Sequence, residues 1–332
     1  MDQKNVEVLF QWLDQTAHQI QEELDITYLE AVLEAGYCFL DRTFPDEWSE
    51  LTKKRVSNLI DDLTMENLSK EEKRKALQLA ILKGMKGSTQ HHHMITPDSV
   101  AIFVGYLLSK VYPKLDMLRI FDPAVGSANL LTAILNQWNG AYSAFGSEVD
   151  TTLIKLALLQ ANLQEHQIEF FHQDSLRPLL LDPVDAVVSD LPVGYYPDKE
   201  QSKSYELAAK EGLSYSHHLF IEQSLRYLVP GGYAIFVIPS FLFDSDQSEE
   251  LHIFLHKNAH IVGVLQLSET LFKNEQHSKS IFILQKKGEN TKAPKEALLV
   301  KLPSFKNQTA MNDIVSKINQ WFSKEFHNNQ KI

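Results

Sequence analysis

The residues with chemistry to offer fall in short polar groups. Phe121-Asp122-Pro123-Ala124-Val125-Gly126-Ser127-Ala128 closes an apolar run with a carboxylate and a glycine turn. A carboxylate there can hold an ammonium or ordered waters, and Gly126 lets the backbone approach a ligand closely. An ordinary turn between a strand and a helix would look the same. Gly146-Ser147-Glu148-Val149-Asp150 closes a second run. It places an acid where nucleoside-binding α/β folds grip a ribose diol. Glu148 is preferred for that grip, because Asp150 better suits the N-cap of the next helix. Asp174-Ser175-Leu176 follows a third run; its carboxylate suits the exocyclic amine of an adenine, or a turn. Ser189-Asp190-Leu191-Pro192-Val193-Gly194-Tyr195-Tyr196 closes a fourth.

These groups need elements to bring them together. The apolar runs at 117–121, 144–148, 169–172, 185–189 and 233–239 read as strands, with two more at 256–267 and 280–285. Helical stripes at 130–135, 153–163 and 219–228 alternate with them. Such alternation predicts a mostly parallel sheet wrapped by helices. Ligands in these folds sit at the carboxyl ends of the strands, which is where the polar groups fall. Residues 1–86 show only helical spacing, as in Val6, Leu9, Phe10, Leu13, Ile20 and Leu24. Ser69 and Glu72 form a capping-box pattern at one helix start. The chain is therefore expected to divide into a helical domain at 1–87, an α/β domain at 88–287 and an extension at 288–332. The extension holds a linker at 288–296, a strand at 297–303 and an amphipathic helix at 311–325.

Composition narrows the function. The 332 residues are 44% hydrophobic and 23% charged, the profile of a soluble globular protein. No apolar run reaches the roughly 18 residues of a membrane span, and the start lacks the basic and apolar segments of a signal peptide. Cys38 is the single cysteine. It excludes an internal disulfide and a thiolate metal cluster and suits the reducing cytoplasm. A net charge of −11 speaks against a surface coated for nucleic acid. The charge is uneven, however: residues 91–250 sum to −11 and residues 251–332 to +6.

Taken in order, the groups resemble the class I S-adenosylmethionine (SAM)-dependent methyltransferases, specifically the adenine-type DNA methyltransferases and the modification subunits of restriction systems. Thr96-Pro97 looks like their upstream Thr-Pro motif, and DPAVGSANL like their DPxxGSGxx loop. GSEVD, DSL and the fourth-strand group follow in family order. LVPGGYAIFVIPSFLF and VGVLQLSETLF…SIFILQKK resemble the later strands. The resemblance spans roughly residues 88–287 and implies a Rossmann-like, seven-stranded methyltransferase sheet behind the helical domain. It implies SAM as cofactor, held by Thr96, Asp122, Pro123, Ala124, Gly126, Ser127, Glu148, Val149, Asp174, Ser175 and Asp190. The Thr96 hydroxyl would meet the methionine carboxylate. Asp190, Leu191 and Pro192 would be catalytic: the Asp190 side chain and the Leu191 carbonyl accept hydrogen bonds from the target amine, leaving its lone pair aimed at the methyl.

The catalytic motif departs from the family pattern, which reads Asn/Asp/Ser-Pro-Pro-aromatic. This chain has Asp190-Leu191-Pro192-Val193. Val193 cannot supply the ring on which a flipped base stacks, which leaves Tyr195 or Tyr196 to supply it from a shifted loop. The expected activity is N-methyl transfer, with DNA adenine as leading acceptor, then RNA, a protein glutamine or a small molecule. A SAM-binding or nucleic-acid-associated protein without catalysis is the second reading. A specificity partner would supply the base-reading surface, and a homodimer is compatible. His91-His92-His93 suits a cleft-lining or solvated loop better than a metal site, and no metal is expected. His217-His218 opens a helix after the polar loop 194–215, which reads equally as a substrate lid or a solvated loop. A nicotinamide enzyme is disfavoured, since Gly-x-Gly-x-x-Gly is missing.

Overall fold

The computed structural model describes residues 2–61, 68–86, 95–272 and 278–327. Four helices come first: α1 (Gln3–Leu24), α2 (Tyr28–Asp41), α3 (Glu50–Asp61) and α4 (Lys70–Lys86). Ser69 caps α4 as its spacing predicts. Its amide donates to Glu72 Oε2 (2.9 Å), and the Glu72 amide donates to Ser69 Oγ (3.3 Å). A second capping box, Thr27 with Glu30, starts α2.

The α/β part then runs α5 (Asp98–Val111), β1 (Met117–Asp122), α6 (Asn129–Leu135), β2 (Ala141–Glu148), α7 (Thr151–Leu163), β3 (Ile168–His172), β4 (Val184–Asp190), α8 (Lys199–Ser202), α9 (Ser216–Tyr227), β5 (Leu228–Pro239), α10 (Ser248–Asn258), β6 (Ala259–Gln266), β7 (Lys279–Lys286), β8 (Leu298–Lys301) and α11 (Gln308–Phe322). The strands form one sheet in the order β3-β2-β1-β4-β5-β7-β6-β8. β7 is antiparallel to both neighbours, and every other pair is parallel.

The sheet therefore has eight strands, not seven. The eighth comes from the C-terminal extension and covers the outer edge of β6, which would otherwise offer unpaired backbone groups. Gly263 makes this approach possible: a Cβ there would sit 2.8 Å from the Leu298 carbonyl oxygen. The sixth strand also starts later than its apolar run suggests. Residues 256–258 are the last turn of α10.

Helices α5, α6 and α11 pack on one face of the sheet, burying residues such as Val104, Leu131 and Ile318 against Ile120, Val188 and Ile283. On the other face, α9 and α10 cover Phe121, Val187 and Phe236. The helical domain packs α1, α2 and α4 against Leu153, Leu156, Leu159 and Leu163 of α7, so it is fixed to the helix that follows β2. Among the described residues, no helix is long and apolar enough to cross a membrane.

Candidate active site

The strand ends surround a cavity of about 490 Å³, within the ~300–1,000 Å³ range of ligand pockets. Asp122, at the end of β1, is buried in its wall. Asp122 Oδ1 accepts from Ser189 Oγ (2.8 Å) and from the Ala124 amide (3.1 Å). Burial raises its pKa to about 7 against these hydrogen bonds, with the nearby Asp190 and Glu148 charges adding to the rise. The chain then turns through Pro123, Ala124, Gly126 and Ser127, all on the cavity wall. Gly126 has φ +54, and a Cβ there would meet nothing within 4 Å; it lies open to a ligand. Where the family motif has a second glycine, Ala128 holds φ 61, a left-handed conformation that strains a residue with a Cβ by roughly 1–2 kcal/mol.

Glu148 and Val149 line the next part of the wall. Glu148 Oε1 accepts from the Val149 and Asp150 amides, each at 2.9 Å. Among the described residues its Oε2 accepts only from the Gly126 amide, at 3.0 Å, so that oxygen keeps a lone pair for a ligand hydroxyl. Asp150 caps α7, accepting from the Thr152 and Leu153 amides. Asp150 thus serves as the N-cap of α7, and Glu148 faces the cavity.

Asp174 and Ser175 line the cavity from the end of β3. Asp174 is also structural, accepting from the Leu176 amide (2.9 Å) and from the Tyr196 hydroxyl (2.5 Å). Ser175 Oγ donates to the Pro123 carbonyl (2.5 Å), tying this turn to the first.

Asp190 ends β4, and Leu191, Pro192 and Val193 continue along the wall. The Leu191 amide donates to the Val237 carbonyl (3.0 Å), which pins the motif to β5. Asp190 Oδ2 accepts from the Thr96 hydroxyl (3.0 Å), and Oδ1 pairs with Lys279 Nζ (2.6 Å). Both members of that ion pair are largely withdrawn from solvent, with side chains 15% and 12% exposed. A carboxylate has about four lone-pair sites; bonds among the described residues take two of those on Asp190.

All the expected residues from Thr96 to Val193 thus meet on one cavity. Tyr195 and Tyr196 do not. Tyr196 is buried, with its hydroxyl spent on Asp174. Tyr195 stacks on Tyr215, ring centroids 4.8 Å apart, and is absent from the cavity wall. Among the described residues, the aromatic rings on the wall are Phe220 and the half-exposed Phe241. Neither was evident in the sequence: Phe241 lies just past β5 in no polar motif, and Phe220 reads as a core residue of α9. Met85, Ile95, Asn129 and Lys279 also join the wall.

The 194–215 segment is tied at both ends and partly packed. The Tyr196 amide donates to the Ser214 carbonyl and the Ser216 amide to the Gly194 carbonyl, both at 2.8 Å, closing its ends. Tyr205 and Leu207 are buried within it. His217 and His218 are wholly buried, and burial lowers their pKa values to about 3 and about 4. His91-His92-His93 lie outside the described residues. Among the described residues, no cluster of three or more His, Cys, Asp or Glu is placed to hold a metal.

The donor set suits SAM. Among the described residues, four carboxylates (Asp122, Glu148, Asp174 and Asp190) and one lysine line a pocket of ligand size, a balance that favours a cation. Comparison with known proteins agrees. A family model described as N-6 DNA methylase matches residues 85–331, and one described as the YtxK N-terminal helical domain matches residues 7–85. The uncharacterized protein YtxK of Bacillus subtilis (strain 168) is 45% identical over 328 residues, covering 98% of this chain and 100% of the relative. A crystal structure from Listeria monocytogenes, assigned to the class I SAM-dependent methyltransferases, is 45% identical. It superposes with a TM-score of 0.90, covering 97% of this chain and 100% of the other. A modification subunit of a type I restriction enzyme from Vibrio vulnificus YJ016 shares the fold, with TM-score 0.61, 14% identity, and 95% and 82% of the two chains covered. The chain belongs to the N-6 DNA methylase family, whose cofactor is SAM, and carries a YtxK-type helical domain ahead of the methylase region.

Proposed function

We propose that this protein transfers the methyl group of SAM to an exocyclic amine, with adenine in DNA as the leading acceptor. The observation that carries this reading is the position of Asp190 and Leu191 on one cavity with Thr96, Asp122 and Glu148. Bound SAM supplies an electrophilic methyl group. Asp122 balances the cofactor's positive charge, Glu148 Oε2 takes a ribose hydroxyl, and Pro123, Ala124, Gly126, Ser127, Val149 and Ser175 shape the wall. Asp174 faces the adenine edge. Asp190 and the Leu191 carbonyl accept N–H bonds from the acceptor amine and orient its lone pair. The Asp190 carboxylate also opposes the positive charge that grows on nitrogen, and the proton then leaves to solvent. Pro192 has no N–H and adds no competing donor beside them.

On this reading, residues 88–287 are the methyltransferase domain, residues 1–87 a helical wall beside it, and residues 288–332 an edge extension. The acidic chain calls for a separate specificity partner to read DNA. The cytoplasm, where DNA and SAM occur together, is the place of action. A second reading, SAM binding without catalysis, is favoured by one contact: Lys279 already occupies an oxygen of Asp190.

Methyl-labelled SAM, added with the protein to a cell extract, separates these readings. Label lost to DNase, and absent with Asp190→Ala, supports DNA amine methylation. Label lost to RNase or protease moves the acceptor to RNA or protein. No label above the Asp190→Ala sample, with SAM binding intact and a DNA-reading specificity subunit supplied, overturns the catalytic reading.

A further inference from the structure

We propose that Arg74, in the helical domain, is a positioning residue of the cofactor site, acting through Asn129 on Thr96 and the glycine turn. The inference rests on the reading of the cavity as the SAM site. Arg74 projects from α4, and its side chain is fully buried. Its Nη1 donates to Asn129 Oδ1 (2.5 Å) and to Asp98 Oδ1 (3.1 Å). Its Nε and Nη2 donate to the two oxygens of Glu71 (2.8 and 2.5 Å).

Asn129 is the first residue of α6, directly after the Gly126-Ser127-Ala128 turn, and lines the cavity. Its Nδ2 donates to the Thr96 carbonyl (3.0 Å), and the Thr96 hydroxyl donates to Asp190 Oδ2 (3.0 Å). An unbroken line of hydrogen bonds therefore runs from the helical domain to the catalytic motif. Asp98, held by the same guanidinium and by Lys75, opens α5 two residues after Thr96. Asn136, just past α6, donates to Glu71 as well (3.0 Å). The starts of α5 and α6, which carry the Thr-Pro motif and the glycine turn, are thus both indexed to one side chain of α4.

Only arginine meets this geometry. Its planar fork offers five donors in fixed directions, where lysine offers a compact charge. Without the fork, Asn129 Oδ1 loses its donor inside the protein, and the amide that holds the Thr96 carbonyl is free to turn. The cost appears in ligand affinity as well as in folding.

SAM titration and ligand-free thermal melting of the full chain test this with Arg74→Met, Arg74→Lys and Ile20→Val. Ile20 is buried in the helical core with no place on the cavity wall, so its variant reports loss of stability alone. Arg74→Met is expected to weaken SAM binding about tenfold, as for residues that couple to a site without touching ligand. Arg74→Lys falls between it and wild type, and Ile20→Val melts lower with unchanged affinity. Should Arg74→Met fail to melt cooperatively, folded Arg74→Lys decides by the same criterion. Unchanged SAM affinity in a folded Arg74 variant overturns the proposal, as does an equal loss in Ile20→Val. No SAM binding by wild type refutes the cofactor reading itself.

Discussion

Asp122 carries the clearest pH signature in the molecule. Burial raises its pKa from the ordinary 3.8 to about 7. The folded chain therefore holds this proton at pH values where the unfolded chain has released it. Without ligand, this group's contribution to stability falls as pH rises from about 4 to about 7. A bound cation reverses the preference by favouring the carboxylate. SAM affinity is expected to rise between pH 6 and pH 8 with release of a proton, and Asp122→Asn should flatten that profile in calorimetric titrations. The Asp190–Lys279 pair gives a second expectation. Lys279→Met leaves a withdrawn carboxylate with Thr96 as its donor and should destabilise by roughly 1–3 kcal/mol. Asp190→Asn in the same chain should recover part of that loss, a coupling that a double-mutant cycle in denaturant measures. The strand-end acids were legible because motif and spacing announce them. Lys279 was not: it lies 89 residues from Asp190 in sequence, and only the antiparallel return of β7 beside β5 brings it there. The same holds for Phe241, which the sequence offered no reason to prefer over Tyr195 or Tyr196.

At the scale of elements, hydrophobic period and turn chemistry located the strands and the helices α6, α7 and α9 between them, with errors at their ends, but not α8 or α10. The sixth strand was drawn too long because Phe254 and Leu255 of α10 run into its apolar stretch. The 297–303 segment read as a strand, but its partner was unreadable, since edge pairing depends on which neighbour leaves room. Gly263 leaves that room. Gly263→Val should push β8 off β6, costing roughly 1–3 kcal/mol as overpacking does. Hydrogen exchange should then speed up at residues 298–301 while β1 and β4 stay protected. Unchanged protection of that segment would show that β8 holds without the close approach.

At the scale of the whole molecule, α7 contributes to the core of the helical domain on one side and to that of the sheet on the other. The helical content of residues 1–86 was plain from spacing, but its docking was not, because 153–163 read as one more helix wrapping the sheet. Acid is expected to weaken the assembled protein. His217 and His218 have pKa values lowered to about 3 and about 4, and His166 to about 4, with burial the main cause in each. Below about pH 6.5 the unfolded chain binds these protons and the folded chain does not, so stability falls as pH drops. Chemical denaturation at pH 7 and pH 5 should show a lower midpoint at pH 5, with the difference reduced in His217→Leu. A pH difference unchanged in His217→Leu would mean that this ring reaches solvent.

Titration of SAM into wild type, Glu148→Ala and Asp190→Ala tests most directly whether the strand-end cavity is the cofactor site and Asp190 its catalytic edge. One SAM should bind per wild-type chain. Glu148→Ala should bind at least about tenfold more weakly, through loss of a charged hydrogen-bond acceptor. Asp190→Ala should keep most of its affinity while losing methyl transfer. Absence of binding to wild type, or equal affinity in Glu148→Ala, would contradict the assignment of this cavity to SAM.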